Sequence, residues 1–184
     1  MTKAKRIMIL GNSGSGKTTL AKQLSEYEGL PVFHLDRYFW GTDWVEKDIA
    51  LFRSIVKGFI EEDKWILDGN YIHTLLEERL EKSDRVIFLD YSRVFSVYRV
   101  IKRYFIYKNS SRKDVCTNCP DKLSWSFIKW VWGFKTRVRP TLITVLSRMK
   151  TQGKDVLVFK NKRKLKQYMR KEYGRDLQKR RLDV

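Results

Sequence analysis

Long apolar runs are missing from this sequence of 184 residues. Its uninterrupted apolar stretches, such as Val86-Ile87-Phe88-Leu89, fall far short of the roughly 20 residues that a membrane-spanning helix needs. Near the N-terminus only residues 7–10 form an apolar stretch before glycines begin, which is too short for the core of a secretion signal. We therefore expect a cytoplasmic protein without a membrane partner.

Cysteine is also scarce, since Cys116 and Cys119 are the only two. They cannot form a disulfide framework, and a reducing compartment would keep both as thiols. Their two-residue gap is that of half a zinc site, but the sequence offers no second ligand pair. Zinc binding would need ligands from a second subunit or from Asp114 or Asp121, and it is the weaker interpretation.

Acidic side chains are few in the second half of the chain. Residues 91–184 contain 26 Lys and Arg but only six Asp and Glu, whereas residues 1–90 contain 13 and 15. The net charge of +18 therefore comes from residues 91–184. Such an excess attracts polyanions, for example nucleotide phosphates or DNA, and the attraction weakens with salt. The alternative is a solvated basic face that only promotes solubility.

Short apolar segments alternate along the chain with segments of helical periodicity. Phe52, Val56 and Ile60, for example, recur at a four-residue spacing and predict one buried helical face. Strands of four to six residues separated by helices favour a parallel sheet that is covered on both faces. We therefore predict an α/β fold. The predicted strands comprise residues 6–10, 31–35, 64–67, 85–90 and 155–159.

The length favours a single domain over the whole chain. Residues 91–154 are too long for a simple connection between the fourth and fifth strands. Helical patterning at 93–107 and 122–150 flanks a polar loop at 109–121, which predicts a lid insertion. Residues 170–184 are rich in Lys and Arg and are expected to form a basic C-terminal tail.

One motif carries specific chemistry. Gly11-Asn12-Ser13-Gly14-Ser15-Gly16-Lys17-Thr18 matches GxxxxGK[ST] and lies between a predicted strand and a predicted helix. In such a loop, backbone N–H groups and a helix N-terminus surround phosphate, the lysine reaches the β- and γ-phosphates, and the threonine binds Mg²⁺. We therefore predict ATP and Mg²⁺ as cofactors. The predicted nucleotide-binding residues are Gly11, Ser13, Gly14, Ser15, Gly16, Lys17, Thr18 and Thr19.

Two carboxylates stand at the ends of predicted strands. Asp36 follows the second strand and Asp68 follows the third, at the edge of an α/β sheet where ligands collect. In a phosphoryl-transfer site such groups either hold Mg²⁺ or accept the proton of an attacking hydroxyl. Both are candidate metal ligands with Thr18, and Asp36 is also a candidate catalytic base. Either residue could instead cap a helix or a turn.

Phosphoryl transfer also needs cations around the transferred group, and a lid commonly supplies them. Arg99 and Arg103 share one face of a predicted lid helix because they are four residues apart. Arg93 begins that helix, and Arg137 and Arg139 lie on the second lid segment. With Lys17 and Asp36, we select Arg99, Arg103 and Arg137 as the catalytic candidates, although solvated arginines remain an equal alternative.

Aromatic and basic residues are interleaved in the second lid segment. Trp125, Trp130 and Trp132 occur with Lys129 and Lys135, a mixture that can stack bases of single-stranded nucleic acid. Packing of the lid is the alternative. Together with the charge excess of residues 91–184, this pattern keeps DNA as a possible partner.

Several segments together resemble a known family. GNSGSGKTTL, FHLDRYFW, WILDGNY and YSRVFSVYRVIKR are similar to the adenylate-kinase-like P-loop proteins called topology modulation proteins. The similarity covers residues 7–169. It implies a three-layer core of the nucleoside-monophosphate-kinase type, strand order 2-3-1-4-5 and a helical lid. It also implies use of ATP and Mg²⁺ and a link to DNA topology, but no particular reaction.

The sequence departs from adenylate kinases after the third strand. Those enzymes continue Asp-Gly-Phe-Pro-Arg, with the arginine on the acceptor monophosphate, whereas this chain reads Asp68-Gly69-Asn70-Tyr71. The phosphoryl group could therefore be transferred to a hydroxyl group, with Asp36 acting as the base. We predict an ATP-dependent phosphotransferase acting on a small molecule or a nucleotide. The alternatives are an ATP-binding, DNA-associated regulator and a nucleotide-binding protein without an acceptor.

Overall fold

The computed structural model describes residues 4–107 and 123–182, with side chains as far as residue 174. Five strands form one parallel sheet in the order β2-β3-β1-β4-β5, which confirms the predicted fold class and topology. The strands are β1 (Arg6–Gly11), β2 (Val32–His34), β3 (Trp65–Asp68), β4 (Arg85–Leu89) and β5 (Asp155–Phe159).

Helices connect and follow these strands. They are α1 (Lys17–Glu28), α2 (Leu35–Phe39), α3 (Ile49–Glu61), α4 (Leu76–Lys82), α5 (Arg93–Tyr107), α6 (Trp125–Arg137), α7 (Arg139–Thr151) and α8 (Lys162–Leu182). The helical patterning at 122–150 thus corresponds to two helices that meet at Val138. Pro140 lies in the first turn of α7, where a missing N–H group costs no hydrogen bond. No helix within the described ranges is long and apolar enough to cross a bilayer.

The three central strands, β1, β3 and β4, are buried on both faces because they are almost wholly apolar. Successive residues of β1 alternate between the two sides: Met8 and Leu10 belong to one core layer, and Ile7 and Ile9 belong to the other. The first layer includes α3, α4 and α7, and the second includes α1 and the beginning of α8. The result is a three-layer arrangement of helices, sheet and helices.

Part of the predicted lid insertion packs in the core. Leu142, Leu146 and Met149 of α7 are buried in the first core layer, so α7 is the helix that leads from β4 back to β5. The predicted loop at 109–121, with Cys116 and Cys119, lies outside the described residues. A lid at 91–154 stays a prediction, as does the basic tail, although the α8 backbone continues past residue 170 to Leu182.

Candidate functional site

The candidate site lies at the carboxyl edge of the sheet. In parallel strands all carboxyl ends meet at the same edge, and β1 runs there directly into residues 11–18, which we call the phosphate loop. The register pairs His34 and Ile9 with Asp68 across neighbouring strands. The fold therefore brings the ends of β1, β2 and β3 together beside the phosphate loop.

Glycine is required where the phosphate loop touches α5. Gly14 has φ 77°, a left-handed conformation that other residues rarely adopt. A Cβ atom at this position would stand only 2.5 Å from the carbonyl oxygen of Ser96 in α5. The close approach of loop and helix therefore depends on the missing side chain.

The backbone N–H groups of the phosphate loop are its main chemical feature. Those of Gly14 and of residues 16–19 donate no hydrogen bond to any group in the described part of the chain. The Ser15 hydroxyl is also buried without a partner there. Because α1 begins at Lys17, several of these N–H groups are the unsatisfied donors of a helix N-terminus. Such a set of donors binds an anion.

Two asparagines hold the phosphate loop in place. Asn12 donates from Nδ2 to the carbonyl oxygen of Val131 in α6 at 2.8 Å and accepts from the backbone N–H of Ser13 at 2.8 Å. Asn70 makes two hydrogen bonds with Gly11, accepting from its N–H at 3.0 Å and donating to its carbonyl oxygen at 2.8 Å. The loop is thus fixed from α6 on one side and from the segment after β3 on the other.

Lys17 lies folded over the phosphate loop. Its Nζ atom donates to the carbonyl oxygen of Asn12 at 3.3 Å, which is a long hydrogen bond. A phosphate oxygen is a better acceptor for an ammonium group than this carbonyl. The lysine is therefore positioned to exchange this contact for a bound phosphate.

Asp68 is a buried carboxylate with two polar neighbours. Thr18 Oγ1 donates to its Oδ2 atom at 2.7 Å, and His34 Nδ1 lies 3.0 Å from the same oxygen. Burial by itself raises the pKa of Asp68, but the hydrogen bonds with His34 and Thr18 and the charge of Lys17 outweigh it and hold the pKa below its usual value. Asp68 is therefore charged at neutral pH beside the threonine hydroxyl.

This pair of oxygen ligands fits Mg²⁺. Thr18 and Asp68 offer a hydroxyl and a carboxylate, the hard oxygen ligands that Mg²⁺ prefers. Among the described side chains, those of residues 4–107 and 123–174, no group of three or more His, Cys, Asp or Glu could hold a metal ion. Such a site suits Mg²⁺, which commonly takes one or two protein ligands and completes its shell with phosphate and water.

Asp36 lies farther along the same edge, exposed at the start of α2. Its Oδ1 atom accepts a hydrogen bond from the Tyr71 hydroxyl at 2.7 Å, and it makes no hydrogen bond with Thr18 or Lys17. Burial and the nearby Asp36 charge raise the pKa of Tyr71, so its hydroxyl remains a donor. Asp36 therefore faces a different part of the site from Asp68.

Arg79 supports the segment that links these groups, and the sequence analysis missed it. Its fully buried guanidinium donates to three consecutive carbonyl oxygens, those of Gly69 at 3.3 Å, Asn70 at 2.7 Å and Tyr71 at 2.7 Å. Burial lowers its pKa to about 9. The available sequence signal was its spacing from Leu76, which places an arginine on the apolar face of α4.

The predicted lid arginines occupy different surroundings. Arg99 lies against the phosphate loop, since a Cβ built on Gly16 would be 3.5 Å from its Nη1 atom. Arg137 donates to the carbonyl oxygen of Trp130 in its own helix at 2.8 Å. Arg139 forms a two-bond ion pair with buried Asp90, at 2.7 and 2.8 Å.

The two remaining arginines lie on α5. The Arg93 guanidinium is 5.1 Å from the centre of the Trp132 ring, and Arg103 is partly buried. Of the five lid arginines, Arg99 is the one that the distance to Gly16 places against the phosphate loop. The catalytic roles assigned to Arg99, Arg103 and Arg137 from the sequence stay predictions.

A groove of about 310 Å³ opens beside the phosphate loop, between α1 and α8. Ser15, Gly16 and Thr19 form its end at the loop, and Arg99 lines the same end. Apolar side chains from both helices, including Leu20 and Leu165, form its floor. The groove therefore extends from the phosphate loop toward a less polar region.

Comparisons with known proteins bear on the fold. No protein-family model and no curated protein sequence matches the chain, so the resemblance to topology modulation proteins is not confirmed. Among solved structures, the chain is similar to shikimate kinase from Acinetobacter baumannii in complex with shikimate, with a TM-score of 0.54 and 14% identity. That match covers 94% of this chain and 95% of the kinase chain. At this identity the likeness shows the P-loop kinase fold and nothing finer.

Proposed function

We propose that the protein is an ATP-dependent phosphotransferase that acts on a hydroxyl group of a small molecule or a nucleotide. The observation that carries the proposal is the set of unused backbone donors at Gly14 and residues 16–19, next to Lys17 and the Thr18–Asp68 pair. This arrangement suits a polyphosphate with its metal ion better than any neutral ligand. The shared fold with a shikimate kinase is consistent with this function.

The donor nucleotide is proposed to lie along the loop and the groove. Its phosphates take the unused N–H groups and Lys17, while Ser13 and Gly11 hold the loop's shape through the two asparagines. The nucleoside extends into the groove, where Leu20 and Leu165 supply apolar contact. Thr19 lines the junction between the two parts.

Mg²⁺ would be held by Thr18 and Asp68, and when bound it would neutralise charge on the β- and γ-phosphate oxygens. Asp36 was an equal candidate for this role in the sequence, but its hydrogen bond to Tyr71 associates it with the acceptor side. His34 holds the same Oδ2 atom of Asp68 that Thr18 contacts. We therefore assign Asp68 as the metal ligand and Asp36 as the base.

The acceptor is proposed to be a hydroxyl group because the acceptor side offers the Asp36 carboxylate, whereas the buried guanidinium of Arg79 is committed to backbone carbonyls. Asn70 and Arg79 are engaged with backbone groups of the segment after β3. The Oδ2 atom of Asp36 has no hydrogen bond within the described part of the chain and can accept the hydroxyl proton. The hydroxyl oxygen of the acceptor attacks the γ-phosphorus as its proton passes to Asp36, the bond from that phosphorus to the bridging oxygen breaks, and ADP leaves.

Arg99 is proposed to stabilise the charge on the transferred group, since it already lies against Gly16. Arg103 and Arg137 would join it only if the predicted lid at 91–154 closes. In the described arrangement Arg137 is bonded to its own helix, so closure would have to break that contact. Closure of this kind is common in kinases of many folds.

A phosphoryl-transfer screen tests the proposal. Wild-type protein, γ-labelled ATP and Mg²⁺ are incubated with nucleosides, nucleotides and small alcohols, and labelled product is measured. Lys17→Ala is the background control. Asp36→Asn should lower kcat by about 100-fold or more while ATP binding is retained. No turnover above Lys17→Ala with any acceptor would reject the proposal.

A second candidate is an ATP-binding, DNA-associated regulator, the role that membership of the topology modulation family would suggest. Its support is the exposure of Trp125, Trp130 and Trp132 on α6 beside exposed Lys129. Affinity for single-stranded DNA should then fall steeply between low and moderate salt and should change when ATP is added. Triple replacement of these tryptophans by alanine should abolish binding, and absent or salt-insensitive binding would reject this candidate.

A further inference from the structure

We propose that the groove between α1 and α8 is a site for a nucleotide that carries a phosphate group on its ribose in addition to its 5′ phosphates. The inference rests on the nucleotide site proposed above and concerns the wall that α8 contributes. Three cations line this wall: Lys162, Lys166 and Arg170. We call them the basic row.

The direction of the basic row follows from the fold. α1 begins after the phosphate loop at the end of β1, and α8 begins just after the end of β5, at the same edge of the sheet. Both helices therefore run away from that edge in the same direction. At the far side Tyr27 and Tyr173 stack with ring centres 5.0 Å apart and connect the two helices. The groove thus leads from the phosphate loop along α8.

The spacing of the basic row sets its reach. Members four residues apart lie on one helical face, and eight residues extend about 12 Å along an α-helix. Lys162 stands at the start of α8, near the phosphate loop, whereas Lys166 and Arg170 lie one and two turns farther away. Only the first of the three cations can therefore serve the 5′ phosphates.

For Lys166 and Arg170, ATP offers no negatively charged group to contact. A base and an unmodified ribose are uncharged at neutral pH, and Leu20, Leu165 and Met169 already provide apolar contact for them. No acidic side chain is among the described residues that line the groove. Lys166 and Arg170 form no ion pair in the described part of the chain, and like charges four residues apart on a helix repel. An anionic group on the ribose would supply the missing partner.

Three adenine nucleotides test the inference by calorimetry at low salt. ADP is the reference, adenosine 5′-diphosphate 3′-diphosphate carries the additional ribose charge, and adenosine 5′-tetraphosphate carries the same number of phosphates on the 5′ side alone. We expect the 3′-diphosphate form to bind about tenfold more tightly than the tetraphosphate, because it gains charge-assisted hydrogen bonds to the basic row.

Two double variants of α8, each of which removes two positive charges, test whether the basic row causes the preference for the 3′-diphosphate form. In K166Q/R170Q the preference for the 3′-diphosphate form should disappear while ADP affinity is unchanged. In K164Q/K171Q, which removes two cations of the same helix that do not line the groove, the preference should persist. If both double variants lose it equally, the general positive field explains it and the inference is overturned.

The remaining outcomes separate this inference from the proposed function. ADP binding by the wild-type protein without any preference between the other two nucleotides overturns the inference alone. The inference alone is also overturned by a combination of two results: wild type shows no preference among the nucleotides, and K166Q/R170Q loses affinity for a thymidine oligonucleotide. The basic row would then bind nucleic acid. No binding of any of the three nucleotides overturns the proposed function and this inference with it.

Discussion

At Asp68, individual contacts decide whether a buried carboxylate keeps its charge. Desolvation favours the protonated form, and the hydrogen bonds with His34 and Thr18 together with the charge of Lys17 favour the ionised form more strongly. Arg79 shows the opposite balance, because its guanidinium has carbonyl partners and no carboxylate, and burial lowers its pKa to about 9. For both residues, the few groups that they contact decide whether burial or the partners control the pKa.

The lowered pKa of Asp68 predicts part of the acid stability of the free protein. The unfolded carboxyl group has the higher pKa, so its contribution to stability is complete above about pH 4 and is lost as the pH falls through the folded pKa. Urea unfolding of wild type and Asp68→Asn, with a chelator present, should show a stability difference at pH 6 that shrinks below pH 4. A difference that stays constant over this range would contradict the assignment.

Replacing Arg79 should be costly for the fold. Arg79→Met leaves the carbonyl oxygens of Gly69, Asn70 and Tyr71 without their donor in a buried place, and we expect a loss of about 3 kcal/mol in the free energy of unfolding. Arg148→Met is the control, because its ion pair with Glu77 is exposed and should contribute less than about 1 kcal/mol. Equal losses in urea unfolding would disprove a special role for Arg79.

At the scale of elements, the phosphate loop is a junction rather than a free turn. Gly14 touches α5, Asn12 bonds to α6 and Gly11 bonds to the segment after β3. Two helices of the β4–β5 connection and the segment after β3 thus contact this one loop. A displacement of α5 or α6 therefore acts directly on the groups proposed to hold phosphate.

Two glycine-to-alanine substitutions, one in the phosphate loop and one in α3, test the contact between the loop and α5. Gly14→Ala places a Cβ against Ser96 in a left-handed backbone position, so α5 must shift and the loop must distort. We expect a loss of about 2 kcal/mol in stability and at least about tenfold weaker ATP binding. Gly58→Ala, in α3 with open space around it, should instead stabilise by about 0.5–1 kcal/mol. ATP affinity unchanged in Gly14→Ala would contradict the described contact.

Periodicity and motif chemistry predicted the strands of a parallel sheet and the phosphate loop because these features follow from short-range patterns, whereas the strand order was implied only by the resemblance to a known family. β5 (Asp155–Phe159) and α5 (Arg93–Tyr107) agree with the predicted bounds. Side-chain pairing over long separations was not predictable in this way. Asn12 with α6, Asn70 with Gly11 and Arg139 with Asp90 depend on how remote elements pack.

At the scale of the whole molecule, charge is divided between two halves of one fold. Residues 91–184 carry the positive excess, and they include α8, whose basic row lines the groove. Residues 1–90 carry the phosphate loop and both strand-end carboxylates. The first half thus carries the groups proposed as metal ligand and base, while the positive charge of the second half is expected to attract anions.

The net charge of +18 predicts that the folded state repels itself at low salt. Stability to urea should therefore rise as potassium chloride increases from low to moderate concentration. Phosphate at the same ionic strength should stabilise wild type further through the loop, but it should not stabilise Lys17→Ala beyond chloride. Identical responses of both proteins to phosphate would argue that no specific anion site exists at the loop.

The central claim is that the phosphate loop binds a nucleoside triphosphate, and calorimetric titration with Mg²⁺ and ATP tests it most directly. Lys17→Ala removes the loop cation, and Lys57→Ala removes one exposed cation from α3 as a charge-matched control. We predict saturable binding by wild type and Lys57→Ala and at least about tenfold weaker binding by Lys17→Ala. Absence of binding by wild type, for both ATP and GTP, or equal affinities in all three proteins would contradict the account.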